Sequence, residues 1–178
     1  MSFWENTRKP VGLGGKLMVS LMNLGHSPVA WWGLRFLNVA PDAKVLDCGC
    51  GGGANIKRLL KECPHGVVKG IDYSPVSVEK SKKVNEAAIA EGRCAVLQGS
   101  VADMPFADGW FDAVTAFETV YFWPNLPQCF REVYRVLKPG GTFLICNESS
   151  GDTDKDEKWT EIIGGMTIYS GDELKTFL

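Results

Sequence analysis

The stretch VLDCGCGGG, residues 45–53, joins a short apolar run and an acid to four glycines interleaved with two cysteines. Three readings compete for it: a turn that cradles a nucleotide, a Cys-x-Cys metal-ligand pair, or a flexible break. Its flanks decide between them. A strand that runs straight into glycines and then into a helix is a small-molecule cradle. Glycine lets the backbone approach a ligand closely, and the start of the helix presents free N–H groups.

The flanks have that form. Apolar, β-branched runs at Lys44–Asp47, Val67–Asp72, Cys94–Gln98, Phe111–Phe117 and Thr142–Cys146 alternate with helical patterns at Ala54–Glu62, Pro75–Glu91 and Leu126–Leu137. Such alternation predicts βαβ units and a parallel sheet covered on both faces. Ser74-Pro75 offers an N-cap with a first-turn proline, Asn125 offers another cap, and Pro139-Gly140-Gly141 stops the last of these helices. Residues 16–38 read as two amphipathic helices, the second starting at Ser27-Pro28. Ser170 and Glu173 form a capping box for a helix near Leu178.

Bulk properties narrow the classes. The chain has 178 residues, 45% hydrophobic and 22% charged, as in a globular protein, with a net charge of −2 that gives no sign of a nucleic-acid partner. No apolar run reaches the ~20 residues of a membrane helix. The N-terminal MSFWENTRKPVGLGGK lacks the apolar core of a signal peptide, so a cytoplasmic location is expected. Six cysteines follow no disulfide spacing, and Cys48-x-Cys50 lacks a second ligand pair, so no metal site is expected there.

Asp72 closes the second strand 21 residues after Gly51, where a carboxylate can accept hydrogen bonds from both hydroxyls of a ribose. An adenosine-containing cofactor follows. Gly49-x-Gly51-x-x-Ala54 also fits a dinucleotide fingerprint. Two features oppose that reading: the chain is short for a dehydrogenase, and Asp47 sits two residues before the first glycine, where a pyrophosphate would meet a negative charge. S-adenosylmethionine carries an ammonium, a sulfonium and no phosphate, so acids beside the turn suit it.

At this point the chain resembles the class I S-adenosylmethionine-dependent methyltransferases over roughly residues 40–148. VLDCGCGGG resembles the first motif and GIDYS (70–74) the second. GSVADMPFADGWFD (99–112) is similar to the segment between the third and fourth strands, and LKPGGTFLI (137–145) to the turn into strand five. TAFETVYFWPNL and the N-terminal GGKLM segment look like a group acting on small molecules.

The resemblance implies an α/β fold, a Rossmann-like three-layer sandwich with a mostly parallel sheet of order 3-2-1-4-5 and an N-terminal helical lid. It implies one domain over 1–178: a lid at 1–40, a cofactor-binding core at 41–148 and an incomplete C-terminal segment at 149–178. It also implies S-adenosylmethionine as cofactor, with S-adenosylhomocysteine as product, and a small-molecule methyl acceptor. Gly49 and Gly51 would take the methionine moiety, Asp47 would order the loop, Asp72 would bind the ribose and Tyr73 would pack on adenine. The family usually has an acid where Ser100 stands; Asp103 is a candidate substitute, and Val101 can offer backbone contacts. The terminal antiparallel strands of the family are missing, which leaves strand five with an open edge that a C-terminal segment or a second copy would cover. A truncated or non-catalytic cofactor-binding module is the alternative function, with a nucleotide-dependent oxidoreductase behind it.

Methyl transfer needs alignment above all, and a base only where the acceptor is protonated. Glu118, after strand four, is a candidate base or acceptor contact; the competing role is to order the cofactor or cap the turn. His26, before the second helix, is a second candidate, with a helix-junction hydrogen bond as its plainer role. Tyr121, Phe122 and Trp123 could line an acceptor pocket or pack the N-terminal helices. Trp4, Trp31 and Trp32 read as core or lid packing, Lys16 as a solvated lysine within reach of the cofactor's carboxylate, and His65 as exposed.

Overall fold

The computed structural model describes residue 10, residues 12–151 and residues 153–177. Trp4 and the side chain of Lys16 lie outside the described residues. Five strands, β1 (Lys44–Cys48), β2 (Val67–Asp72), β3 (Cys94–Gln98), β4 (Phe111–Phe117) and β5 (Leu137–Cys146), form one parallel sheet of order β3-β2-β1-β4-β5. The order reverses at β1, so the chain crosses to the other half of the sheet directly beside the glycine turn.

Alternation along the strands separates two apolar layers. Val45, Val68, Val96, Ala113 and Phe117 face one side, against α2 (Ser27–Leu34), α3 (Ala54–Glu62) and α4 (Pro75–Val84). Leu46, Cys48, Ile71, Val114 and Ala116 face the other, against α6 (Leu126–Val136). On α6 the buried residues Leu126, Cys129, Phe130, Val133 and Val136 recur at helical spacing and make one apolar stripe. The three-layer sandwich expected from the sequence is the observed one.

Helix α1 (Gly12–Gly25) and α2 lead into the sheet. Small residues dock α2: a Cβ on Gly33 would stand 2.5 Å from Cys146 Sγ, so only glycine permits this approach. Ala30, Gly33 and Leu34 take the buried face, and Trp31 and Trp32 are left about half exposed at 49% and 55%. Neither ring enters the core, because the close helix–sheet approach selects small side chains; Trp31 lies under Arg58 at 5.5 Å and Trp32 against Phe36 at 5.0 Å, so of the two packing roles the core one is corrected.

Several local details also differ from expectation. The helix expected over Pro75–Glu91 breaks into α4 and α5 (Glu86–Ala90) at Asn85, whose Nδ2 donates to the carbonyls of Gly53 and Ser81 at 3.0 Å each. Strand β5 begins at Leu137, which pairs with Phe111; a register shift before the Ala113–Thr142 pair absorbs Pro139-Gly140-Gly141 as a bulge. Asn125 has left-handed backbone and its side chain makes no cap; its Nδ2 donates to Gln128 instead.

The Ser74 cap and the Ser170–Glu173 capping box are both present. After β5 come α7 (Asp154–Ile162) and α8 (Gly171–Lys175); α8 returns to the α6 face, where Leu174 is buried and Phe177 meets Phe130 at 6.0 Å. Among the described residues β5 is an edge strand, and no helix is long and apolar enough to cross a membrane.

Candidate active site

The turn after β1 is tied to the end of β2. The N–H groups of Gly49 and Cys50 both donate to the carbonyl of Ile71, at 2.8 and 3.1 Å. The N–H of Gly51 donates to Asp72 Oδ2 at 2.9 Å, and that of Ser74 donates to Asp72 Oδ1 at 2.8 Å. Each carboxylate oxygen therefore keeps a free lone pair for a ligand hydroxyl. Gly49 has φ +69, and a Cβ there would fall 1.9 Å from Thr119 Oγ1. Gly51 has φ +49, and its Cβ direction points into open space. One glycine thus permits packing and the other leaves room for a ligand.

A cavity of about 320 Å³ opens over these strand ends. Its wall includes Gly49, Gly51, Asp72, Tyr73, Ser100 and Val101, and also His26 and Glu118. Six of the seven residues expected to bind the cofactor, and both acceptor-side candidates, thus meet in one space.

Asp47 lies beneath the wall. It is buried, with Oδ1 accepting from Thr115 Oγ1 at 2.8 Å and Oδ2 without a hydrogen-bond partner among the described residues. Burial pushes its carboxyl up to about 7; the Thr115 hydrogen bond opposes the shift, Asp72 adds to it and Arg58 opposes it. Asp72 is also raised by burial, against the N–H groups of Ser74 and Gly51. Two acids beside a glycine turn repel a pyrophosphate when ionised, and a bound cation would draw their raised carboxyls back toward the ordinary range. An ammonium-bearing, phosphate-free cofactor passes this test.

Ser100 Oγ accepts from the N–H of Ala102, and Ser100 bridges Asp103 through the backbone, which closes the turn after β3. Asp103 is not part of the cavity wall. The aromatic cluster divides. Phe122 and Trp123 line the cavity, with Trp123 also stacked on Phe143 at 6.2 Å, whereas Tyr121 is buried and exchanges hydrogen bonds with the backbone of Ser149.

Glu118 takes a left-handed backbone, φ 57, although it is not glycine. Its N–H donates to the Cys146 carbonyl at 2.9 Å, and its Oε1 accepts from the N–H of Glu148. Burial raises its carboxyl to about 7, opposed by the Glu148 N–H and the Tyr121 hydroxyl and reinforced by the Glu148 charge. His26 is half-buried, and burial lowers its imidazole against the pull of Glu148. His65 is exposed. Cys48 and Cys50 are free, buried thiols that burial holds well above the usual range.

Several cavity residues carry no motif. Thr119 packs on Gly49, and Val19, Val29 and Ala30 form the side of the cavity contributed by α1 and α2. Arg58 also lines the cavity; it contacts Ser27 Oγ, donates to Asn55 Oδ1 at 2.7 Å and lies over the Trp31 ring at 5.5 Å. Only the apolar spacing of α3 hints that one of its polar residues would face the turn.

A methyltransferase-domain family model matches residues 46–145. Cycloartenol-C-24-methyltransferase 1 of Oryza sativa subsp. japonica is 37% identical over 109 residues, 61% of this chain and 31% of that protein. Cycloartenol-C-24-methyltransferase of Arabidopsis thaliana is 33% identical over 138 residues, 76% of this chain and 40% of its own. Among solved structures, a methyltransferase in complex with the Haloferax volcanii Trm112 methyltransferase activator superposes with a TM-score of 0.83 at 26% identity, covering 91% of this chain and 70% of that one. Geranyl diphosphate C-methyltransferase from Streptomyces coelicolor A3(2), solved with Mg2+ and S-adenosyl-L-homocysteine, has a TM-score of 0.73 at 20% identity, with 85% and 55% covered.

The fold and glycine turn define a class I S-adenosylmethionine-dependent methyltransferase domain. The chain belongs to the methyltransferase-domain family, and it spans about a third of the length of the curated relatives it matches.

Proposed function

We propose that this domain transfers a methyl group from S-adenosylmethionine to a small, largely apolar acceptor by in-line displacement. S-adenosylmethionine supplies a methyl already activated on a sulfonium, so the protein's task is alignment and exclusion of water. The observation that carries the reading is the buried, unpartnered Oδ2 of Asp47 behind a glycine turn whose second anchor is Asp72.

In this reading Asp72 accepts from the ribose hydroxyls and Tyr73 covers the adenine, with Ser100 and Val101 at its edge. Gly49 and Gly51 give the methionine end its backbone contacts, and Asp47 supplies negative potential beneath its ammonium. Residues 41–148 form the cofactor-binding core, and the helices before residue 40 form the lid.

The acceptor side is the wall of Phe117, Phe122 and Trp123, whose apolar faces suit a hydrocarbon skeleton. Glu118 and His26 meet the acceptor's reacting end. The plant relatives are C-methyltransferases by name, and the apolar wall supports an acceptor of similar character. A cytoplasmic location accords with six free, buried cysteines. The open edge of β5 is where a second copy would pair, which size-exclusion chromatography with light scattering would reveal as a dimer.

Incubation with methyl-labelled S-adenosylmethionine and a panel of isoprenoid and polar metabolites tests the function. Label should pass to an apolar member of the panel. Label retained on the donor with every class of acceptor would contradict the proposal.

A further inference from the structure

Three side chains from separate elements converge beside the cavity, two of them, His26 and Glu118, in its wall. His26 comes from the α1–α2 junction, Glu118 from the end of β4 and Glu148 from just beyond β5. One ligand atom from each lies within 4.8 Å of the other two. The order of the strands alone makes this meeting possible, since β4 and β5 are neighbours and α2 docks on the end of β5 through Gly33. Nothing in the local sequence of any of the three resembles a metal motif.

We infer that His26, Glu118 and Glu148 form a binding site for one divalent transition cation at the acceptor end of the cavity. One imidazole nitrogen and two carboxylate oxygens make a mixed donor set suited to Zn2+, Mn2+ or Fe2+, and a poor match for a purely oxygen-seeking ion. Metal–ligand distances are about 2.0–2.2 Å for such donors. The 4.8 Å spread therefore closes by side-chain rotation, and the two glutamates are long enough to supply it.

Two further observations point the same way. Glu118 holds a left-handed backbone that a non-glycine residue rarely adopts, and such strain persists where a side chain must be aimed. Its Oε1 accepts from the N–H of Glu148, and outer contacts of this kind orient metal-binding carboxylates. Among the described residues, no ion pair to lysine or arginine engages Glu118 or Glu148.

His26 and Glu118 share the cavity wall with Gly49, Gly51 and Asp72. A cation there would hold an oxygen of the acceptor, so the inference rests on the methyltransferase reading for its purpose and not for its existence. It narrows the acceptor to a molecule with an oxygen donor at the reacting end of an apolar skeleton.

Binding of Co2+ and Mn2+ to the metal-free full chain tests it, with spectroscopy of the Co2+ complex and titration of S-adenosylhomocysteine run separately. One equivalent should bind without the near-ultraviolet charge-transfer band of thiolate ligation. Separate His26→Ala and Glu148→Gln variants, shown to be folded by circular dichroism, should each lose at least about tenfold in metal affinity. A thiolate band, affinity unchanged in both variants, or no binding at millimolar metal would overturn the site. Metal binding without S-adenosylhomocysteine binding would sink the methyltransferase reading and leave the metal site standing; the reverse result would do the opposite.

Discussion

Gly51 donates its backbone N–H to Asp72 Oδ2 at 2.9 Å, linking the glycine turn to the second strand across 21 residues. The same carboxylate holds the N–H of Ser74 through its other oxygen, so one side chain fixes both the turn and the start of α4. A ligand that accepted contact with Asp72 would therefore meet a surface already rigid.

Removing that carboxylate should weaken cofactor binding strongly. A hydrogen bond to a charged group is worth about 1.5–3 kcal/mol, and 1.4 kcal/mol is a factor of ten. Asp72→Ala should lower affinity for S-adenosylhomocysteine by about 10–100-fold in calorimetry. Unchanged affinity would remove the ribose assignment.

Gly49 cannot be enlarged. A Cβ would stand 1.9 Å from Thr119 Oγ1 on a backbone at φ +69. Gly49→Ala should cost on the order of 1–3 kcal/mol in urea unfolding, through strain and displacement of Thr119. Adding Thr119→Gly should recover the steric part and leave the backbone part. A single variant as stable as the parent would show that the turn relaxes freely.

Asp47 sets a pH dependence whose sign is definite. Its carboxyl rises from 3.8 to about 7 on folding, chiefly through burial. Between those values the folded chain holds a proton that the unfolded chain releases. Stability should then fall as pH rises from about 4 to 7 and level off above that. Asp47→Asn should remove its own share of this slope, leaving the shares of Glu118 and Asp72, and be more stable than the parent at pH 8 by on the order of 1–3 kcal/mol, with little difference at pH 4. The same variant should bind cationic S-adenosylmethionine more weakly. Urea titrations at both pH values check the first claim and calorimetry the second.

Arg58 joins α2 to α3 through Ser27 and the Trp31 ring. Arg58→Ala should increase hydrogen exchange in α1 and α2 and weaken cofactor affinity several-fold, with little change in the sheet amides. Equal exchange in both forms would show that α2 is held by Gly33 and Leu34 alone.

The sheet was legible because each of its strands is a short apolar run bounded by turns, and β2, β3 and β4 begin and end where the pattern places them. Helix α4 stops early for a reason that no propensity contains. Asn85 is bound by the Gly53 carbonyl, which is 32 residues away. The meeting of Gly49, Gly51 and Asp72 in one cavity wall was equally readable, since they belong to contiguous motifs. Thr119, Arg58 and Glu148 were not, because their roles arise from contacts between distant segments. The size of Trp31 and Trp32 left core and outer packing equally open: the sheet is approached by Gly33, and both rings stay half exposed, Trp31 under Arg58.

The central claim is that the turn takes a cationic, phosphate-free adenosine cofactor. Calorimetry of the full chain with S-adenosylmethionine, S-adenosylhomocysteine and NAD tests it most directly. The expected result is one-to-one binding of the first two and no heat with NAD. Binding of NAD with no response to either sulfur compound would contradict it.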